Sequence, residues 1–193
     1  MSDYTDAIDW AADILRRNPL ILDTETTGLQ DGEIVQISVI DRAGIVHLNT
    51  LVKPVHGIPQ DASDVHGITE EMVAAAPGWG RVSYDLIKLL AGRDVVIYNA
   101  VYDRKMMHRS AEHAGLPKVD WKQLATFHCA MEMYAQFFGN WNSYRKSYTW
   151  VALSRACQNE NVDLSKITAP AHSALGDCLR TLALIEAMAQ AKK

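Results

Sequence analysis

The sequence predicts an α/β fold built on a mixed sheet, with antiparallel strands on one side and parallel strands on the other. Three strand patterns come first and are separated only by short turns, as in an antiparallel meander. Helical patterns then alternate with a short buried strand pattern, which is typical of parallel strands joined by helices. No linker or repeat divides the 193 residues. We therefore expect one domain over 1–193, in which residues 1–18 form an N-terminal helical extension.

The first third of the chain predicts one helix, three strands and an irregular segment. Apolar residues at helical spacing predict a helix over 6–17, which Asn18-Pro19 ends. Apolar runs bounded by turn residues then predict strands over 20–26, 33–41 and 45–52. Residues 53–66 contain two prolines and are expected to be irregular.

The rest of the chain predicts mainly helices. We expect a short strand over 94–98, with Thr69 and Asn99 as N-caps of the helices that follow them. A polar, aromatic loop is expected over 139–148. Helices are predicted over residues 68–71, 84–91, 99–114, 121–138, 149–158 and 173–190.

The composition argues against several classes of protein. Nineteen basic residues against 23 acidic ones give a net charge of −4, which disfavours coating of nucleic acid by bulk positive charge. It does not exclude an enzyme that meets phosphate through bound metal, because carboxylate ligands lower the net charge. Three cysteines without a CxxC pair argue against a disulfide framework. With no signal-like or membrane-spanning run, we expect a soluble, cytoplasmic protein with no membrane partner.

Three groups of polar residues lie where predicted strands end or predicted helices begin. Asp23 and Glu25 are two apart at the end of a buried strand, so they share one face of it. Asp103 lies about one turn into the helix that follows the strand predicted over 94–98, where α/β sheets place ligands. His172 is expected on a loop, and Asp177 on the second turn of the last helix. Each group alone is equally typical of solvated surface residues.

The chemistry of these side chains favours a metal site. Neighbouring carboxylates near a core are costly unless cations compensate them. Hard divalent cations such as Mg²⁺ favour carboxylate oxygens. A histidine close to them can take up and release a proton near neutral pH, which suits a general base.

The three segments, in this order, resemble the motifs of a known family. The segments are Asp-Thr-Glu-Thr-Thr-Gly-Leu at 23–29, Asn-Ala-Val-Tyr-Asp at 99–103 and His-Ser-Ala-Leu-Gly-Asp at 172–177. They resemble the DEDDh family of 3′→5′ exonucleases, which are DnaQ-like members of the ribonuclease H-like superfamily. Val-His-Gly-Ile-Thr at 65–69 is a further match, and the resemblance covers about residues 19–190. Cys129-Ala130-Met131 is most similar to the exonuclease X and ribonuclease T side of the family.

The resemblance implies a ribonuclease H-like fold and a two-metal phosphodiester hydrolase. Such an enzyme releases nucleoside 5′-monophosphates from free 3′ ends. Two Mg²⁺ ions, for which Mn²⁺ could substitute, would be held by Asp23, Glu25, Asp103 and Asp177. By the same resemblance, His172 would deprotonate the attacking water and complete the set of five catalytic residues.

The resemblance also implies substrate contacts. The backbone at Thr26 would approach the terminal 3′-hydroxyl, Leu29 would wedge against the last base, and His66 would lie near the terminal nucleotide. Tyr98 and Tyr102 depart from the family pattern, because many members carry histidine and phenylalanine there. The implied set of substrate-binding residues is Thr26, Gly28, Leu29, His66 and Asn99.

Several alternatives remain open from the sequence. Single-stranded DNA 3′ ends are the favoured partner, with a homodimer or a larger nucleic-acid-processing complex as the setting. An exoribonuclease that trims RNA 3′ ends, or a non-catalytic nucleic-acid-binding subunit of a repair or replication complex, fits the same motifs. The aromatic loop at 139–150 would either stack on unpaired bases or form a small buried cluster. A basic patch at Arg104, Lys105 and Arg109 would either guide phosphates or be solvated.

Overall fold

The main sheet has five strands in the order β3-β2-β1-β4-β5, in a computed structural model that describes residues 3–192. The three strands β1, β2 and β3 pair antiparallel, whereas β1–β4 and β4–β5 are parallel pairs. The predicted mixed α/β sheet is therefore confirmed. The strands are β1 (Leu20–Thr26), β2 (Ile34–Asp41), β3 (Val46–Leu51), β4 (Asp94–Ile97) and β5 (Thr126–Cys129).

Helices cover both faces of the sheet. A separate antiparallel hairpin consists of β6 (Trp141–Asn142) and β7 (Ser147–Tyr148), and Leu164–Lys166 forms a 3₁₀ turn. The helices are α1 (Asp3–Arg16), α2 (Gln60–His66), α3 (Glu70–Val73), α4 (Trp79–Leu90), α5 (Ala100–His113), α6 (Trp121–Leu124), α7 (Ala130–Phe138), α8 (Leu153–Asn159) and α9 (Ala174–Gln190).

Strand β1 separates two hydrophobic cores, and its alternation decides where its acids lie. Ile21 packs in the core formed with α1, α7, α8 and α9. Leu20 and Leu22 pack in the other core, with α4 and α5. Because side chains alternate along a strand, Asp23 projects on the α9 side and Thr24 on the α5 side.

Three predictions about the elements are wrong, and one of them is the loop expected over 139–148, which contains the hairpin β6–β7. The single helix predicted over 121–138 is instead α6, β5 and α7. Residues Thr126–Cys129 pair in parallel with β4, and this pairing across distant sequence overrides the helical pattern on both sides. The segment 53–66, expected to be irregular, contains α2. That helix buries none of its residues, so the sequence there lacks the apolar periodicity that marks a helix.

The helix ends agree in part with the predicted caps. The Thr69 hydroxyl accepts a hydrogen bond from the Met72 N–H, which confirms it as the N-cap of α3. Asn99 occupies the N-cap position of α5 as predicted. Its side chain makes no capping hydrogen bond, so the predicted capping interaction is wrong. Helix α1 begins at Asp3, and residues 1–2 of the predicted extension lie outside the described part of the chain. Between residues 3 and 192, no helix combines the length and the apolar character that crossing a bilayer requires.

Candidate active site

Three carboxylates meet at the carboxyl end of β1. Asp23 and Glu25 lie on one face of this strand, and Asp177 comes from the first turn of α9, one turn earlier than predicted. Each of the three offers an oxygen that lies within 4.8 Å of the other two. We call these three residues the acidic cluster.

The fourth predicted acid, Asp103, approaches the acidic cluster from α5. Its side chain is buried, with 3% of its surface exposed, and its Oδ1 accepts a 2.7 Å hydrogen bond from the Thr24 hydroxyl. Thr24 lies between the two acids of β1, so this bond fixes the start of α5 to their strand. The charge of Asp103 helps to raise the pKa values of Asp23 and Glu25, so the four acids act electrostatically as one group.

Burial, together with repulsion between neighbouring carboxylates at Asp23 and Glu25, raises the pKa values of these acids. Burial, followed by the charges of Asp177 and Asp103, raises the pKa of Glu25 to about 8. Burial raises the pKa of Asp103 to about 7, against the opposing hydrogen bond from Thr24. Burial and the neighbouring carboxylates also raise the pKa of Asp23 well above its usual range. A bound cation reverses these effects, and an all-oxygen donor set fits a hard divalent cation such as Mg²⁺.

The start of α9 holds the predicted base close to Asp177. A Cβ on Gly176 would lie 2.0 Å from the Pro170 carbonyl oxygen, so only glycine lets this turn pack on the helix. The Ser173 hydroxyl caps α9 by accepting from the Gly176 N–H, and donates to the same Pro170 carbonyl. His172 is exposed on this turn in a left-handed conformation, with φ of 55°. It lies outside the acidic cluster. Burial raises the pKa of Asp177, against the opposing charges of Arg180 and His172 and the His172 backbone N–H.

Two side chains align α9 with the strands that carry the other acids. Gln36 of β2 pairs with Glu25 in register, and its Oε1 accepts a 3.0 Å hydrogen bond from the Ala174 N–H at the start of α9. The buried Cys178 thiol lies 3.6 Å from the Ile21 carbonyl oxygen and 3.4 Å from that of Ser38, across the β1–β2 pair. A larger residue than cysteine would push α9, and with it Asp177, away from the sheet.

A cleft of about 670 Å³ begins at the acidic cluster. Four of the five predicted substrate-binding residues line it, namely Thr26, Gly28, Leu29 and His66. Leu29 is 81% exposed at its rim, as a residue that meets a ligand would be. Asn99 does not line the cleft. The facing wall comes from Asp61, Ala62, Val65 and His66 of α2, the helix that the sequence did not predict.

Tyr102 of α5 bonds to two residues that line the cleft. Its hydroxyl is 2.5 Å from the Thr26 hydroxyl and donates a 3.1 Å hydrogen bond to the Gly28 carbonyl oxygen. A phenylalanine at this position would make neither bond. The sequence identifies Tyr102 as a departure from the family pattern, but it predicts neither of these bonds.

The turn between β1 and β2 is closed tightly. The Thr27 N–H donates to the Glu33 carbonyl at 2.8 Å, and the Glu33 N–H donates to the Thr27 hydroxyl at 2.9 Å. A Cβ on Gly32 would lie 2.2 Å from the Gly28 carbonyl oxygen, so a side chain there would open the turn. The tight closure presents Leu29 at the rim of the cleft.

A second, basic cleft of about 770 Å³ runs between α5 and residues 118–122. It contains all three residues of the predicted basic patch, and only Glu112 and Asp120 oppose its charge. We call this cleft the basic groove. Its cationic residues are Arg104, Lys105, Arg109, Lys118 and Lys122, and burial lowers the pKa of His108, which lies among them.

The aromatic loop forms a hairpin with exposed rings. Trp141 and Tyr148 pack edge to face with ring centroids 5.1 Å apart, and the Tyr148 hydroxyl donates to Asp3. Tyr144 is 95% exposed, and Trp150 is also exposed. The alternative of a small buried aromatic cluster is therefore wrong for these two residues.

Comparison with known proteins places this chain in a family. The sequence model of the exonuclease family RNase_T matches residues 20–185, which include all four acids and His172.

The chain belongs to this exonuclease family.

Individual relatives agree with this assignment. An uncharacterised exonuclease, CP81, of Escherichia phage 186 is 40% identical over 179 residues, covering 91% of this chain and 90% of that protein. The structure of exonuclease X in complex with 5′ overhanging duplex DNA is 28% identical, with a TM-score of 0.65 over 88% of this chain and 90% of that one. Escherichia coli exonuclease I in complex with a dA16 oligonucleotide shares the fold, with 17% identity and a TM-score of 0.66 over 85% of this chain and 39% of that one. The ribonuclease H-like fold implied by the sequence is thereby confirmed.

We predict that the metal-free protein loses stability as the pH rises from about 5 to 8. Glu25 and Asp103 have folded-state pKa values of about 8 and 7, above the ordinary 4.5 and 3.8, so the folded state binds more protons in this range. Stability must then fall with rising pH and level off above the raised values. Tm measured in EDTA across this range tests the sign, and Mg²⁺ should raise Tm more at pH 8 than at pH 5.

The Glu25→Gln variant is the control for this experiment. Without an ionisable group at position 25, its Tm in EDTA should depend less on pH than that of the wild type. A wild-type Tm that stays constant or rises between pH 5 and 8 would contradict the raised pKa values.

Tyr102→Phe should destabilise the protein by about 1 kcal/mol, because it removes the hydrogen bonds to Thr26 and Gly28. For a chain of this length that corresponds to a loss in Tm of roughly 2–4 °C. Tyr144→Phe makes the same chemical change at a residue that is 95% exposed, and its Tm should stay within error of the wild type. Equal Tm values for both variants would mean that the Tyr102 hydroxyl does not brace the cleft.

Proposed function

We propose that this protein is a divalent-metal-dependent 3′→5′ exonuclease that prefers single-stranded DNA ends. The reaction adds water to the terminal phosphodiester, releasing a nucleoside 5′-monophosphate and leaving a new 3′-hydroxyl. One observation carries the proposal. The acidic cluster, with Asp103 beside it, meets through Glu25 a cleft whose volume, about 670 Å³, is within the usual range for small-ligand sites.

The four acids are the proposed metal ligands. Asp23 would be shared between two ions, with Glu25 and Asp177 completing one site and Asp103 contributing to the other. When bound, a pair of Mg²⁺ or Mn²⁺ ions stabilises the attacking and leaving oxygens of an in-line displacement. The donor chemistry supports this assignment, since all four residues offer carboxylate oxygens. Among residues 3–192, the fixed cation paired with them is Arg180, 3.5 Å from Asp177.

The remaining residues would orient the substrate and move a proton. His172 would accept the proton of the attacking water, from an exposed turn that leaves its ring free to swing towards the phosphate. The backbone at Thr26 would meet the terminal 3′-hydroxyl, while Leu29 would pack against the last base. Gly28 permits a close approach because nothing lies within 4 Å of where its Cβ would be.

Two further features support a single strand as substrate. Leu29 and His66 both line the cleft, and a terminal nucleotide held between them would have an unpaired base. Two structural neighbours hold DNA, which is a 5′ overhanging duplex in exonuclease X and dA16 in exonuclease I. RNA is the second candidate. A protein tells RNA from DNA through contacts to the 2′-hydroxyl, and the residues that line the cleft do not identify such contacts.

We propose the cytoplasm as the setting, because the three cysteines are all unpaired, as in reducing compartments.

The decisive experiment is cleavage of 5′-labelled single-stranded DNA, single-stranded RNA and blunt duplex DNA, each with Mg²⁺ or with EDTA. We expect a ladder that shortens from the 3′ end, only with metal and fastest on single-stranded DNA. Asp23→Asn should abolish the ladder, because it removes the charge of the shared ligand. Asp85→Asn, a matched change at a half-exposed carboxylate paired with Arg81 on α4, should leave the rate unchanged.

Each part of the proposal can fail separately. Label released as a mononucleotide would mean 5′→3′ attack. Cleavage in EDTA, or by Asp23→Asn, would refute the metal-site assignment. Tight binding of single strands without cleavage in Mg²⁺ or Mn²⁺ would favour a non-catalytic binding subunit.

The basic groove would hold the strand upstream of the cleft. We predict that Lys105→Glu and Lys118→Glu lower the affinity of Asp23→Asn protein for single-stranded DNA. A variant that no longer binds one phosphate should also have a slope of log K against log salt that is shallower by about 0.7. Fluorescence anisotropy over a salt series measures both quantities.

Lys88→Glu is the matched control for the basic groove, because Lys88 lies on α4 against the Tyr84 ring and outside the groove. Its affinity and salt slope should equal those of the parent protein. Unchanged slopes for the two groove variants would show that the strand leaves the cleft by another route.

A further inference from the structure

A second group of metal-ligating side chains lies outside the acidic cluster. Glu33, His56 and His113 each offer one ligand atom, and these three atoms lie within 4.8 Å of one another. They come from three separate parts of the fold: the residue before β2, the segment after β3, and the last turn of α5. We call these three residues the histidine cluster.

The carboxylate of Glu33 is buried and held rigidly. Only 3% of the residue is exposed, and its two oxygens accept 2.8 Å hydrogen bonds from the N–H groups of Val55 and His56. The Nδ1 of His56 lies 2.9 Å from Oε1 of Glu33, and the His56 side chain is mostly exposed. Backbone donors of this kind orient ligating carboxylates in metal sites. Oε2, which accepts from the Val55 N–H, retains a second lone pair for a cation.

His113 presents a ring nitrogen that the described residues do not satisfy. Its Nε2 is buried from solvent and makes no hydrogen bond within residues 3–192. The nearest carboxylate, that of Asp31, is 3.5 Å away and is shared with Arg109. The ring meets that of His56 edge to face, with centroids 4.8 Å apart. A buried ring nitrogen without a partner is costly, and coordination of a metal would remove that cost.

The donor types distinguish this group from the acidic cluster. Two imidazoles and one carboxylate suit Zn²⁺ and related transition metals, whereas the all-carboxylate cluster suits Mg²⁺. We propose that Glu33, His56 and His113 form a structural site for a transition metal of the zinc type. Asp31, or a water molecule, would complete a tetrahedral set of four ligands.

Such an ion would brace one wall of the substrate cleft. Glu33 closes the turn that follows β1, through its backbone bonds to Thr27. The Ile34 N–H already donates to the Ser110 hydroxyl at 2.9 Å, which ties the start of β2 to α5 one turn before His113. A metal held by three distant segments would strengthen this link and hold the turn carrying Leu29 against α5. The structural role of the site does not depend on the proposed exonuclease activity.

The test uses the full-length protein stripped with EDTA, returned to excess Mg²⁺ to occupy the acidic cluster, and then given Zn²⁺ or Co²⁺. We expect one Zn²⁺ retained per chain after gel filtration. The Co²⁺ form should have the visible absorption bands of a Co²⁺ ion in a low-symmetry site. X-ray absorption at the zinc edge of the Zn²⁺ form should detect imidazole nitrogen ligands. His56→Gln and His113→Gln should each weaken Zn²⁺ binding by at least about tenfold.

His47→Gln is the matched control, because His47 also lies 2.9 Å from one carboxylate, Asp41, but has no second histidine beside it among the described residues. It should bind Zn²⁺ like the wild type, and zinc should raise the Tm of both. The spectra test the wild type directly, so they remain decisive even if a variant folds poorly. The proposal would be overturned if no zinc is retained in Mg²⁺ or if the bound metal has no imidazole ligands. It would also be overturned if the His56→Gln and His113→Gln variants bind Zn²⁺ as tightly as the wild type.

Discussion

Repulsion among closely packed carboxylates is the constraint on which the rest of this structure depends. Asp23, Glu25, Asp103 and Asp177 come from three elements. Burial raises the pKa values of all four, and the charges of the neighbouring acids raise those of Asp23 and Glu25 further. Left to local forces, such groups would separate and hydrate. They stay together because β1 is central in the sheet, with β2 on one side and β4 on the other. Helices α5 and α9 therefore approach the same strand end from opposite faces, and a bound cation would offset the remaining repulsion.

The packing near the acids depends on small residues at critical contacts. Gly176 lets the turn carrying His172 contact α9, and Cys178 lets α9 lie close to the backbone of β1 and β2. Gln36 then joins the first helical N–H to the strand that pairs with β1. These contacts bond backbone to side chain, so they fix the distance between α9 and the sheet more firmly than apolar packing would. The geometry of the acidic cluster is thus determined by residues that carry no charge themselves.

Local signals in the sequence predicted the features that are determined locally. Strands β1 to β4 and helix α9 are marked by apolar runs, and the candidate metal-binding acids fall within short motifs attached to them. The errors have two causes, which are deciding contacts that are distant in sequence and the lack of a buried face. Strand β5 exists through pairing with β4, and α2 has no buried face from which to recognise it. The Tyr102 hydroxyl bonds and the histidine cluster likewise join positions about twenty to eighty residues apart, which no spacing rule detects.

Helix α5 combines opposite charges within a short distance, and this separates binding from cleavage in the proposed reaction. Its 14 residues span about 20 Å. Asp103 faces the acidic cluster at one end, while Arg104 and Lys105 face the basic groove. A nucleic acid strand would be attracted to the groove at any metal concentration, but its terminal phosphate would be repelled from the cleft until cations neutralise the acids. Metal would therefore control whether a captured strand can place its 3′ end for hydrolysis, more than whether the strand is captured.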